Sequence, residues 1–336
     1  MDLFHPSIAR TMNRLRVLNL IAQEGPISRA DIARRLELSK PSTSEVVALL
    51  LEENLIEEGD KEETKSGRKP TALTLKSEGT LVLGIALEPK AVSYAIANIN
   101  GSILRMEKTP LAENHDPKST GQAIIQWVRK RSTLPIRSIV ITTSGTFDEE
   151  RKILLSHEHL PWENIPLAEA IEAHTHIPTV FAHTALAMSF AERWFTPEKL
   201  PSNYLYLSYS DHLEAAAYIN NADHLSRFAH TPVRETGLCT CGSIGCIATL
   251  SGEAQAKAIG KALITADRAL NVDAIIIAGN AEYLEVIKGH FHGTTPIIQS
   301  SLKDPSPLLG AIAVALDWGI FKRSSLEKSK TATQNG

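Results

Sequence analysis

The chain has three cysteines, Cys239, Cys241 and Cys246, and all of them fall in one short run. That run reads His-Thr-Pro-Val-Arg-Glu-Thr-Gly-Leu-Cys-Thr-Cys-Gly-Ser-Ile-Gly-Cys and begins at His230. One imidazole and three thiolates complete a tetrahedral Zn²⁺ shell, the closed set that structural sites use. Gly237, Gly242 and Gly245 supply the backbone freedom for so short a segment to wrap around a point. Cys239 and Cys241 are too close in sequence to pair comfortably as a disulfide, and an odd thiol would remain. The pattern predicts a structural Zn²⁺ site with His230, Cys239, Cys241 and Cys246 as ligands.

Such a loop needs a folded body around it. With 336 residues, 43% hydrophobic and 22% charged, the chain can bury two or three domain cores. A formal net charge of -3 argues against wholesale polyanion binding, yet allows a local basic surface. No apolar run approaches the ~20 residues of a membrane span. The start, Met1-Asp2-Leu3-Phe4-His5-Pro6, lacks an apolar signal region, and cysteines kept for metal suit a reducing interior. A cytoplasmic protein with no membrane partner is expected.

The first eighty residues read as helices. Leu15, Leu18, Ile21 and Ala22 recur at helical spacing until Gly25-Pro26. Ser28-Arg29-Ala30-Asp31 is a capping box for a second helix. After the turn Glu37-Leu38-Ser39, Ser39 caps a third helix with Pro41 in its first turn. Helix, short turn, helix at these lengths is a helix-turn-helix. Lys40, Ser42, Thr43 and Ser44 sit at the N-terminal end of the third helix, where side chains meet base edges. Leu55-Ile56 and Thr71 to Leu75 read as wing strands, and the loop between them ends in Lys65-Ser66-Gly67-Arg68-Lys69-Pro70. Residues 1–79 hold twelve Lys/Arg and thirteen Asp/Glu. A DNA contact therefore requires segregated signs, with Arg10 to Lys40 and then Arg68 and Lys69 facing phosphate and the acidic run turned away.

Cys-x-Cys-Gly-x-x-Gly-Cys with an upstream His, and Gly-Arg-x-Pro after the wing, resemble the ROK group of sugar-responsive repressors and sugar kinases. The resemblance covers nearly the whole chain. It implies an α/β protein: an N-terminal winged helix-turn-helix followed by a two-lobed actin-like (ribonuclease-H-like) ATPase fold. The winged helix would occupy 1–78, the first lobe 79–183 and 307–322, the second lobe with the zinc loop 184–306, and a disordered tail 323–336. The strand, hairpin and helix order from Thr80 to Phe195 is similar to that first lobe.

The residues an active family kinase needs are replaced. The phosphate turn after the first strand reads Ala86-Leu87-Glu88, and the glycine loop of the second lobe reads Ser208-Tyr209-Ser210-Asp211-His212. His183 and Thr184 stand where the family has Asn and the general-base Asp. The sugar-binding Glu before the zinc His is Arg227, and the one after the last cysteine is Ala248. The gap from His230 to Cys239 is also one residue shorter than usual. Two readings stand: a decayed pocket serving as a dimerisation scaffold, or a pocket for an anionic or phosphorylated sugar lined by His183, Arg227 and His230. The resemblance thus implies a non-enzymatic homodimeric regulator of carbohydrate-related genes, bound to a pseudo-palindromic double-stranded DNA operator. The competing readings are a kinase that keeps its activity and a regulator controlled by protein contact alone.

Overall fold

The computed structural model describes residues 6–59, 63–64, 67–68, 71–111, 116–131, 133–209, 212–302 and 306–322. The expected tail, the wing residues Lys65, Ser66, Lys69 and Pro70, and Ser210-Asp211 lie outside the described residues, as does the side chain of Arg68.

Three helices begin the chain: α1 (Pro6–Glu24), α2 (Arg29–Leu36) and α3 (Lys40–Glu52). The short strands around them are β1 (Ile27–Ser28), β2 (Ile56–Glu58), β3 (Glu63–Thr64), β4 (Gly67–Arg68) and β5 (Ala72–Leu75). Ser28 Oγ accepts the Asp31 N–H at 3.2 Å and Ser39 Oγ accepts that of Ser42 at 3.2 Å, so both helix starts are side-chain capped. Glu37 at φ 54 turns α2 into α3. β5 pairs with β1 and β2, and β3 with β4, which gives a winged helix.

The body consists of two lobes with one strand plan. In the first, β6 (Leu81–Glu88), β7 (Ala91–Asn98) and β8 (Ile103–Pro110) form an antiparallel meander; β9 (Ile136–Thr143) and β13 (Thr179–His183) extend it in parallel, in the order β13-β9-β6-β7-β8. Between β9 and β13 come β10 (Gly145–Asp148), β11 (Ile153–His157), β12 (Glu163–Ile165) and α5 (Leu167–Thr175), while α4 (Pro117–Arg129) precedes β9. After α6 (Thr184–Phe195), the second lobe repeats the plan with β14 (Tyr204–Tyr209), β15 (Leu213–Ile219), β16 (Ala222–Leu225), β17 (Ala274–Gly279) and β18 (Ile297–Gln299), ordered β16-β15-β14-β17-β18. Its helices are α7 (Gly252–Leu270) and α8 (Ala281–His290). A repeated β-meander continued by parallel strands is the actin-like, ribonuclease-H-like architecture.

α9 (Pro307–Leu316) is apolar along its length and packs on α6 and β6. The α6–α9 crossing depends on Gly310, where a Cβ would stand 2.8 Å from the Ala187 carbonyl carbon. A π-helical turn, Asp317–Phe321, follows. Here the winged helix joins the body. Val17, Leu18, Ile21 and Leu50 share one hydrophobic cluster with Leu308, Ile312, Leu316 and Phe321. Asn19 Nδ2 donates to the Phe321 carbonyl at 3.0 Å, and Arg137 Nη2 donates to the Glu53 carbonyl at 3.0 Å.

Three elements depart from the sequence reading. The third strand of the meander, read from sequence as Ser102 to Arg105, runs on as β8 to Pro110, held by its ladder to β7. α4 starts at Pro117, earlier than the Gly121 where the sequence places this helix, because the Asp116 carboxylate caps Lys118 and Ser119 N–H. The small sheet β10-β11-β12 had no periodic signal in its polar, turn-rich segment.

Candidate functional site

The zinc loop folds as its glycines require. Gly237, Gly242 and Gly245 all have positive φ, and at Gly245 a Cβ would lie 1.7 Å from the Arg234 carbonyl oxygen. Bridges from Pro232 to Cys246 and from Leu238 to Ile244 close the loop. One ligand atom from each of His230, Cys239, Cys241 and Cys246 lies within 4.8 Å of the others. Cys241 Sγ is 3.7 Å from Cys246 Sγ, and Cys239 Sγ is 3.4 Å from His230 Nδ1. Zn–S bonds of about 2.3 Å and Zn–N bonds of about 2.0 Å in a tetrahedron produce edges of about this size, so the donor set fits a metal ion. Burial and the neighbouring thiols push Cys246 up to about 12, whereas hydrogen bonding to the Ser243 backbone draws Cys241 down to about 6. With Nδ1 on the metal side, His230 Nε2 points to Glu158 Oε1 at 3.9 Å, the orientation by which a carboxylate steadies a ligating imidazole.

Glu158 links that loop to a cleft between the lobes of about 410 Å³, which His183, Arg227 and His230 line together. His183 ends β13 at the N-cap position of α6 without a side-chain cap bond; burial lowers its pKa to about 4, so the ring is neutral at pH 7. Its Nδ1 has no hydrogen-bond partner among the described residues. Sequence reasoning missed two carboxyls here. Glu214 on β15 reaches the cleft wall, where it accepts a bond from the Ser144 hydroxyl, and burial pushes its pKa up to about 7. Glu158 is also raised by burial, with His230 and then Arg227 pulling it back. Arg227 itself is exposed. The cleft therefore lacks the unopposed buried guanidinium on which an anionic ligand was expected. The alternation of β15 offered a signal for Glu214, since it shares a face with Ala216 and Tyr218, which is turned towards α6.

The kinase positions are filled from within. At the end of β6 the Glu88 carboxylate accepts bonds from Ser93 Oγ and, at 3.3 Å, from Lys108 Nζ. Tyr209, at the end of β14, stacks edge-on to Tyr283 with centroids 5.2 Å apart and donates its hydroxyl proton to the Gly252 carbonyl at 2.8 Å. A phenol thus occupies the first turn of α7, beside the strand end where phosphate-binding amides would stand. Thr184 Oγ1 lies 3.3 Å from Ser144 Oγ, whose single proton goes to Glu214, and a threonine hydroxyl has no basicity to offer as a general base.

On the winged helix, Lys40 and Ser44 are exposed and Ser42 is half-buried. Thr43 differs from expectation: it is 1% exposed and donates to the Ser39 carbonyl at 3.1 Å, so it supports α3 from inside. Thr43, Val46, Val47 and Leu50 share one helical stripe, all buried, a spacing legible in the sequence. The charges are also less segregated than expected. Arg14 pairs with Glu53, Arg29 with Glu58 at 2.7 Å, and Arg10 with Glu45 at 2.5 Å. Lys40 makes no ion pair among the described residues and carries the positive charge of this helix end.

The ROK family profile matches residues 82–278 and a MarR family profile matches residues 10–66. The chain is 25% identical over 271 residues to the xylose repressor of Caldicellulosiruptor bescii, covering 77% of this chain and 68% of that protein. It is 27% identical over 264 residues to the transcriptional repressor Mlc of Escherichia coli K12, covering 74% and 64%. Among solved structures, a ROK family transcriptional regulator described as a homologue of E. coli Mlc superposes with a TM-score of 0.76 at 20% identity, over 95% of this chain and 99% of that one. A ROK glucokinase from Streptomyces griseus gives 0.60 at 17% identity, over 70% and 99%. The glucokinase likeness thus spans a smaller share of this chain than the regulator's. With a winged helix packed on a two-lobed kinase-like body, and with the ROK profile matching residues 82–278, the chain belongs to the ROK family.

Proposed function

We propose that the chain is a transcriptional regulator, most simply a repressor, of carbohydrate-related genes. It acts in the cytoplasm as a homodimer on an inverted-repeat operator, without phosphotransfer. The observation that carries the reading is the pairing of a winged helix with a kinase-like body in which the residues at the family's phosphate turns, Glu88 and Tyr209, are bonded to Ser93 and to the Gly252 carbonyl. Lys40, Ser42 and Ser44 would read the major groove, with Arg68 and Lys69 on the wing contacting phosphate. The His230, Cys239, Cys241 and Cys246 set would hold a structural Zn²⁺, which supplies the loop with the cross-link its hydrophobic contacts lack.

The cleft would take a small effector. Glu214, Glu158 and the unpaired His183 nitrogen offer acceptors and a donor for hydroxyl groups. Because Glu158 opposes Arg227, a neutral sugar fits this charge balance better than the anionic one expected from sequence, and the relatives named as xylose repressors support a neutral pentose. The test is a thermal-shift series with neutral pentoses and hexoses, their phosphates, and ATP, read beside operator gel shifts. A neutral sugar should raise the melting temperature with its concentration and release an inverted-repeat fragment. Stabilisation by phosphorylated sugars alone would restore the anionic reading, and ATP-dependent sugar phosphorylation would overturn the regulator.

A further inference from the structure

β8 is the outer strand of the first-lobe sheet, and every residue of it except Glu107 is exposed. Ile103, Leu104 and Met106 are 39%, 58% and 56% exposed. One edge of β8 pairs with β7; the other has no strand partner among the described residues. A long edge bearing apolar side chains is a template for another strand, and proteins commonly shorten, bulge or cover such edges. We propose that this edge pairs with the same strand of a second copy, antiparallel about a two-fold axis at Met106, which joins two five-stranded sheets into one. The inference rests on the dimeric reading above and specifies its interface.

The charges select the register. In a symmetric antiparallel pair, the axis residue faces itself and its neighbours face one another. An axis at Met106 sets Arg105 opposite the partner's Glu107, twice; beyond Arg105 the ladder to β7 slips by one residue at Leu104, and this bulge ends the regular facing positions. An axis on Arg105 or on Glu107 would set like charges face to face, and one between Met106 and Glu107 would set Arg105 against the partner's Lys108. Opposite charges stabilise directly facing positions and like charges destabilise them. Glu107 is already held for this role: Trp127 Nε1 donates to its Oε2 at 2.6 Å, and Arg131 Nη2 to its Oε1 at 2.7 Å. Arg105 Nε donates to Glu107 of its own strand at 2.5 Å, and a guanidinium has donors enough to serve a second carboxylate. Strand alternation places Met106 on the other face, where pairing would cover it.

The full-length chain carrying Met106→Cys tests this directly, because facing Cβ atoms about 5 Å apart can form a disulfide. Mild oxidation should give near-complete covalent dimer for Met106→Cys and none for Leu104→Cys or the unsubstituted protein. Independently, Arg105→Glu should weaken self-association in sedimentation by about tenfold or more, since two opposite pairs become like pairs. A dimer that does not cross-link at Met106→Cys, and that Arg105→Glu leaves unchanged, would place the interface elsewhere and overturn this proposal while sparing the dimeric regulator. An unsubstituted chain that stays monomeric on operator DNA would overturn both.

Discussion

Replacing Glu214 with Gln should change how stability depends on pH, and the size of the change follows from its surroundings. Burial at the cleft wall raises this carboxyl from 4.5 to about 7, the Ser144 hydrogen bond opposes the rise, and Glu158 adds to it. The folded state therefore binds this proton more tightly than the unfolded chain does. Its contribution is fully present below the unfolded value and is lost as pH rises through 7. Linkage between those two values gives a loss of about 2–3 kcal/mol from pH 5 to pH 8, an upper bound because water in the cleft screens the charge. His157 and His183, lowered by burial to about 4, act oppositely: their contribution is present above their ordinary value of 6.5 and is lost as pH falls. Both remain in the variant, so the difference between the two proteins isolates Glu214. Urea unfolding at pH 5, 6, 7 and 8, in buffer carrying Zn²⁺, is the assay. Glu214→Gln should gain on the unsubstituted protein as pH rises, with most of the gain between pH 5 and 7. Parallel profiles would show that Glu214 stays ionised and hydrated, and the burial argument would fail.

Three other outcomes are expected. Cys241→Ser should abolish stoichiometric metal in elemental analysis and lower the unfolding midpoint, since binding at such a site is part of the folding free energy. Thr43→Val should leave operator sequence preference intact at a cost of about 1 kcal/mol, whereas Lys40→Ala should reduce the salt slope of operator binding by about one; equal selectivity losses would return Thr43 to the reading face. Gly310→Val should destabilise by about 2–3 kcal/mol in denaturant unfolding, because the new side chain must displace α6 backbone.

Local chemistry was legible in the sequence. The helix caps at Ser28 and Ser39, the glycine turns of the cysteine loop and the apolar α9 each depend on neighbours a few residues away, and each has the local structure read for it. What sequence order hid was convergence. Glu158, just after β11, and Glu214, on β15, enter the cleft from different lobes, and nothing in either local pattern shows that they offset Arg227. The salt bridges that tie Arg14 to Glu53 and Arg29 to Glu58 are long-range in the same sense, so counting charges along the chain overstated the basic edge. Thr43 is the opposite case, since its stripe with Val46, Val47 and Leu50 was readable and a polar residue type drew the eye from it.

The seam between α1 and the π-helical turn bears on how such regulators can be recombined. Asn19 is held by a carbonyl from the far end of the chain, Phe321, and the core around Leu18 and Ile21 is completed by residues 308 to 321. The reading head is therefore not an interchangeable cassette. A chimera that moves residues 6–75 onto another family member's body would leave an apolar face of α1 against a mismatched surface. Grafting the segment from 308 to 321 along with the head would restore that contact, and the two segments would be inherited as a pair despite lying at opposite ends of the sequence.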